Sequence, residues 1–147
     1  LVMRGDFESP SGRACADHLL ALVDPPTAIF ASNDDMAYGV MEVAEARGVR
    51  GPQDLAVIGF DARTFPPPWR SSLTSVRQPF FGMGQRGLDQ LLHLIAASNR
   101  RQSATPILPT AQPLESDAPT RIQLPTHLIV RESCGAALSD AAPVRHR

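Results

Sequence analysis

The sequence predicts an α/β fold, with a parallel sheet flanked by helices. Three observations carry that reading. The apolar runs at 28–31 and 55–60 lack the apolar–polar alternation of a half-exposed strand, so they read as strands covered on both faces, as parallel strands are. Between such runs lie segments with the apolar spacing of an amphipathic helix. The resulting order of strand, helix, strand, helix and strand is that of parallel strands joined by right-handed crossovers.

The elements follow in order. Leu1 to Asp6 reads as the end of a strand that Phe7 closes. A first helix follows Ser9-Pro10-Ser11-Gly12, with Cys15, His18, Leu19 and Leu22 at i, i+3, i+4 and i+7. Asp24-Pro25-Pro26 stops it, because proline excludes the helical region for the residue before it. A strand takes Ala28 to Ala31. A second helix begins at Asp34-Asp35, whose carboxylates can satisfy the free amides of a helix start. Met36, Val40, Val43 and Ala44 line one side of it, and Gly48 followed by Val49 supplies a left-handed C-terminal stop. Strands are expected at Leu55–Phe60 and Leu73–Val76. A third helix is expected from about Gly82 to Ser98, striped by Leu88, Leu91, Leu92 and Ile95. Prolines 106, 109, 113, 119 and 125 punctuate a linker over 99–125 with no core of its own. A last strand is expected at His127–Val130, and the end reads as a frayed tail.

Composition narrows the function. The 147 residues suit one domain. Fourteen Lys and Arg against 15 Asp and Glu leave no basic stripe, which excludes direct nucleic-acid binding by these residues. Cys15 and Cys134 have neither a disulfide framework nor metal spacing and read as reduced thiols. None of the histidines 18, 93, 127 and 146 pairs with an acid or thiol at ligand spacing, so no metal and no cofactor are expected. No apolar run reaches the ~18 residues of a membrane span, and no signal peptide is visible, so the reading is cytoplasmic.

Ligands of open parallel sheets bind beyond the carboxyl ends of the strands. Two such ends carry polar groups here: Ser32-Asn33-Asp34-Asp35 after the 28–31 strand, and Asp61 after the 55–60 strand. The Asn donor and acceptor and the Asp acceptors can clamp vicinal hydroxyls or a nucleobase edge. Phe7 can supply an apolar face for a ring. Each has a plainer reading, as a helix cap, a turn residue or core, and it is their coincidence that argues for a pocket. Trp69, on a stiff Pro66-Pro67-Pro68 loop, is a candidate interface residue or a side chain tucked onto its own domain. Gly82-Met83-Gly84-Gln85-Arg86-Gly87 fits G-x-G-x-x-G, but no strand runs directly into it and the linker replaces the acid expected ~20 residues on. These glycines are read as permitting close helix packing.

Gly5-Asp6-Phe7 with Ser11-Gly12, Pro26 through Asp34, Met36-Ala37-Tyr38-Gly39 and Arg47-Gly48-Val49 form an ordered series. Pro52 through Asp61, Leu73 through Pro79, Met83-Gly84 and Pro125 through Ser133 continue it. The series resembles the LacI/GalR family of bacterial transcription regulators over 4–98 and 124–135. The resemblance implies a partial periplasmic-binding-protein-like type I fold, in which two α/β lobes close on a sugar, a nucleobase or a similar effector. It implies that Phe7 packs on the ligand, that Asn33, Asp34 and Asp61 hydrogen-bond it, and that Gln78 lies near the crossover between lobes. It implies a homodimer with Tyr38, Met41 and Trp69 as candidate contacts. DNA would be gripped only by a helix-turn-helix absent from these residues, as most of the N-terminal lobe is. The implied organisation is a partial effector-binding domain at 1–98, the linker at 99–125, a returning strand of the same domain at 126–134 and a tail at 135–147. The Leu88–Ile95 stripe would then pack on the missing lobe. A transport-type sugar-binding protein, a dinucleotide enzyme using Gly82–Gly87 and an inert fragment are the competing readings.

Overall fold

The computed structural model describes residues 1–62, 73–103 and 121–136. Trp69 and its proline loop, residues 104–120 of the expected linker and residues 137–147 of the expected tail lie outside the described residues. The elements are α1 (Ser9–Leu20), β1 (Ala28–Phe30), α2 (Asp34–Ala46), β2 (Ala56–Asp61), β3 (Thr74–Arg77), α3 (Phe80–Ser103), β4 (His127–Ile129) and a 3-10 turn at Glu132–Cys134. They fall into two compact units, Leu1–Gln78 with the chain from Thr126, and Pro79–Pro125.

The first unit holds a four-stranded sheet in the order β1-β2-β3-β4. β1, β2 and β3 run parallel, as the sequence predicts, with Ile29 beside Val57 and Gly59 beside Ser75. β4 differs: it is antiparallel to β3, with Leu128 opposite Val76, so the sheet is mixed with a reversed edge strand. Leu1 to Asp6 forms no strand, and among the described residues no strand lies hydrogen-bonded beside it.

The sheet also departs from the expected two-sided burial. β2 alternates after all, with Val57 and Gly59 buried and Ala56, Ile58 and Phe60 half-buried. α2 covers the face that carries Val57 and Gly59. On the other face Phe30 stays 60% exposed and Leu128 54%. An uninterrupted apolar run does not distinguish a strand covered on both faces from one whose second face is apolar and open.

α1 ends at Leu20, short of the prolines, so Leu22 lies beyond it. Its buried face is Gly12 and Ala16 rather than the expected stripe, and His18 is exposed. Contact with α2 sets that face. A Cβ at Gly12 would strike the Met36 backbone, and one at Gly39 would strike the Ser9 and Arg13 backbone. The two helices therefore cross with their backbones nearly touching. Arg13–Glu42 and Arg47–Asp17 ion pairs at 2.7 Å flank the crossing, each exposed enough to add only about 0–1 kcal/mol. Beneath lies the core: Ala16, Ala31, Met36, Ala37, Tyr38, Val40, Val43, Ala44, Leu55, Val57 and Leu73.

α2 stops as predicted. Gly48 takes φ 69°, its N–H reaches the Glu45 carbonyl, and the Val49 N–H reaches the Ala44 carbonyl. The segment after β4 clamps β3. The Ser133 hydroxyl accepts from the Thr74 N–H at 2.8 Å and donates to the Val57 carbonyl at 2.6 Å. Thr74 and Arg131 exchange two further bonds.

In the second unit α3 starts at Phe80, because the Pro79 carbonyl already accepts the Met83 N–H at 2.8 Å. It runs to Ser103, so the first residues assigned to the linker are helical. Asn99-Arg100-Arg101-Gln102 contains three good helix formers, and the proline series begins only at 106. Gly82, Gly84 and Gly87 all lie inside this helix, not in a loop between strand and helix. Among the described residues a Cβ at Gly84 or Gly87 would meet nothing within 4 Å, so no described element packs closely on these two glycines. Leu88, Leu91, Leu92 and Ile95 are all exposed. Leu91 of this stripe, with Met83, Leu94, Ile122 and Leu124, also lines a cavity of about 440 Å³.

Candidate functional site

The C-terminal ends of β1 and β2 and the start of α2 meet at one edge of the first unit. Asn33 is the N-cap of α2, one residue earlier than the Asp34-Asp35 start suggested. Its Oδ1 accepts the Met36 N–H at 3.0 Å, and its Nδ2 donates to the Phe7 carbonyl at 2.7 Å. Asn33 is 8% exposed, and both ends of its amide are used inside the protein.

Asp34 is 2% exposed and accepts a hydrogen bond from the Ser75 hydroxyl. The same hydroxyl accepts the Ala62 N–H at 3.0 Å. Gly59 makes room for this carboxylate, since a Cβ there would collide with Asp34 Oδ1. Asp61, half-buried at the end of β2, accepts from Gln78 Nε2 at 2.7 Å. Phe7 is 60% exposed, so its ring is offered to whatever lies outside.

Backbone strain marks the same places. Among the described residues the non-glycine positions with positive φ are Phe7 at 71°, Asp61 at 108° and Ala62 at 47°. Such conformations cost about 1–3 kcal/mol each and cluster at ligand clamps and switch regions. The structure thus joins Asp61 to Gln78 and Asn33 to Phe7, and it draws Asp34 inward to support Ala62. Ser75 is the member that sequence reasoning missed. A serine at an inward position of a buried strand was its available signal.

The cavity nearest this edge, about 440 Å³, runs along β1 between Phe7, Met36, Ile29 and Val40. It includes Phe7 and Ser32 but not Asp61 or Gln78. Tyr38 is 5% exposed and belongs to the core, because it sits on the inner side of α2. Met41 is half-buried, and with Tyr38, Glu45, Val49 and Arg50 it lines a second cavity of about 720 Å³. Among the described residues no three His, Cys, Asp or Glu side chains gather as a metal site requires. No helix among them is long and apolar enough to cross a membrane.

Comparison with known proteins gives this edge its context. Residues 1–134 match the periplasmic binding protein-like domain family. The probable HTH-type transcriptional repressor ExuR of Bacillus subtilis (strain 168) is 42% identical over 94 residues, covering 64% of this chain and 28% of the relative. The HTH-type transcriptional repressor PurR of Mannheimia succiniciproducens is 38% identical over 112 residues, covering 74% and 32%. The transcriptional regulator CelR in complex with cellobiose superposes with a TM-score of 0.67 at 33% identity, over 88% of this chain and 34% of that one. The chain therefore spans about a third of the length of these relatives. With its α/β sheet and a match over nearly its whole length, the chain belongs to the periplasmic binding protein-like domain family, and it is similar to the sensing part of LacI-type transcription regulators.

Proposed function

We propose that this chain is the effector-sensing part of a LacI-type transcription regulator, with the effector held non-covalently at the carboxyl edge of the parallel strands. The coincidence of positive φ at Phe7, Asp61 and Ala62 with that edge carries the reading. Phe7 supplies the stacking face. Asp61 accepts from hydroxyls or a base edge, and Gln78 holds its carboxylate in place. Asn33 and Asp34, sequestered as they are, serve the site from behind. The effector is a sugar or a nucleobase-like metabolite, and cellobiose in the CelR complex supports the sugar class. Control of DNA through a separate helix-turn-helix, pairing of two copies through Tyr38, Met41 and Trp69, the absence of a catalysed reaction and a cytoplasmic location belong to the same proposal.

Calorimetric titration with a panel of mono- and disaccharides including cellobiose, and of nucleobases, tests it. One member of the panel binds, and Asp61→Ala weakens that binding by roughly 10- to 150-fold, the worth of a hydrogen bond to a charged group. An unchanged affinity in Asp61→Ala removes the assignment.

A further inference from the structure

We propose that Asn33 and Asp34, consecutive residues at the head of α2, are positioning residues that hold the two strained turns of the site, one turn each. The proposal rests on the functional reading above and deepens it.

The argument starts from what α2 needs for itself. Its first amides require one side-chain acceptor, and Asn33 Oδ1 supplies it to Met36. A serine or aspartate would serve equally well as a cap. An amide adds an N–H, and that N–H goes to the carbonyl of Phe7, which stands at φ 71°. An extended chain would carry this carbonyl elsewhere, so the bond favours the left-handed form. The next residue serves the second turn. Asp34 accepts from Ser75, whose oxygen takes the Ala62 N–H directly after Asp61 at φ 108°. Ser75 is fully buried and Asp34 nearly so, and their polar atoms act through the protein rather than on a ligand. One rigid helix start thus fixes both the aromatic platform and the acceptor carboxylate, and a shift of α2 moves the two together.

Two substitutions in the 147-residue chain separate this role from simple capping, without any ligand. Asn33→Asp keeps the acceptor for Met36 but has no N–H for Phe7. The Met36 amide then stays as protected from hydrogen exchange as before, while the three-bond HN–Hα coupling of Phe7 moves to its extended-chain value. Ser75→Ala speeds exchange of the Ala62 amide about tenfold, the effect of losing one buried hydrogen bond, and leaves the Phe7 coupling alone. An unchanged Phe7 coupling in Asn33→Asp, or an unchanged Ala62 exchange rate in Ser75→Ala, overturns the proposal. If Asn33→Asp abolishes the cooperative melt, adding Phe7→Gly restores it, because glycine holds a left-handed turn without a tether. Failure to restore it also overturns the proposal. Since none of these readouts needs an effector, a negative result here is distinct from a negative Asp61→Ala titration.

Discussion

At the scale of single residues the site is built from conformations that L-amino acids avoid. Phe7 holds positive φ with its side chain largely in solvent, so little packing offsets the strain. Replacing it separates ring from backbone. A left-handed residue with a Cβ costs about 1–2 kcal/mol, and glycine returns about 0.5–1 of that through its freer unfolded chain. Phe7→Gly is therefore expected to be about 0.5–1 kcal/mol more stable than Phe7→Ala in urea melts, and equal stability would contradict a strained Phe7. Charge tells a simpler story at Asp54. Hydrogen bonds from the Arg50 guanidinium, at 2.7 Å to both oxygens, and from the Arg50 N–H hold this carboxyl at about 2, below its ordinary 3.8. Its folded-state pKa is depressed, so its contribution is complete above about 3.8 and is lost as pH falls through about 2. Carboxyl carbon shifts should titrate near that lower value, and Arg50→Ala, which removes the guanidinium but keeps the backbone N–H, should raise the midpoint toward the ordinary one. Asn33 and Asp61 were legible as strand-end residues because strand ends can be found from apolar runs, whereas Phe7 was singled out as the end of a strand that does not form. The division of labour among them was not legible. Nothing in Asn33-Asp34 says that both side chains turn inward, since that depends on Phe7 and Ser75 arriving from 26 and 41 positions away.

At the scale of elements, the α1–α2 crossing decides how the helices sit on the sheet. Gly39 meets the α1 backbone directly, so Gly39→Ala forces the helices apart. A loss of about 1–3 kcal/mol is expected in chemical denaturation, the usual cost of overpacking. A neutral result would show that the crossing can widen freely. The apolar period located α1 and α2 but picked the wrong stripe of α1, because a close crossing buries the smallest side chains, which hydropathy underrates. The strands were found within one residue at each end, since turn residues bound them. The sense of β4 was not legible, because direction depends on which edge the chain returns to, and no local pattern encodes that.

At the scale of the whole chain, the order of the strands has a topological consequence. The polypeptide leaves the sheet after β3 and rejoins it one place along at β4, with Arg77 and His127 as cross-strand partners. Everything in the Pro79–Pro125 unit is, for the sheet, a long detour between neighbours. Gln78 and Thr126 are thus the natural ends of a hairpin, and a two-residue Asn-Gly turn can join them in place of the detour. Such a shortened chain keeps Thr74 clamped by Arg131 and Ser133. It should melt cooperatively in circular dichroism within a few degrees of the parent. A non-cooperative melt would show that the sheet depends on the excursion. Retained folding would make the first unit an excisable cassette, able to lose or exchange what lies between β3 and β4 while its strained edge stays in place.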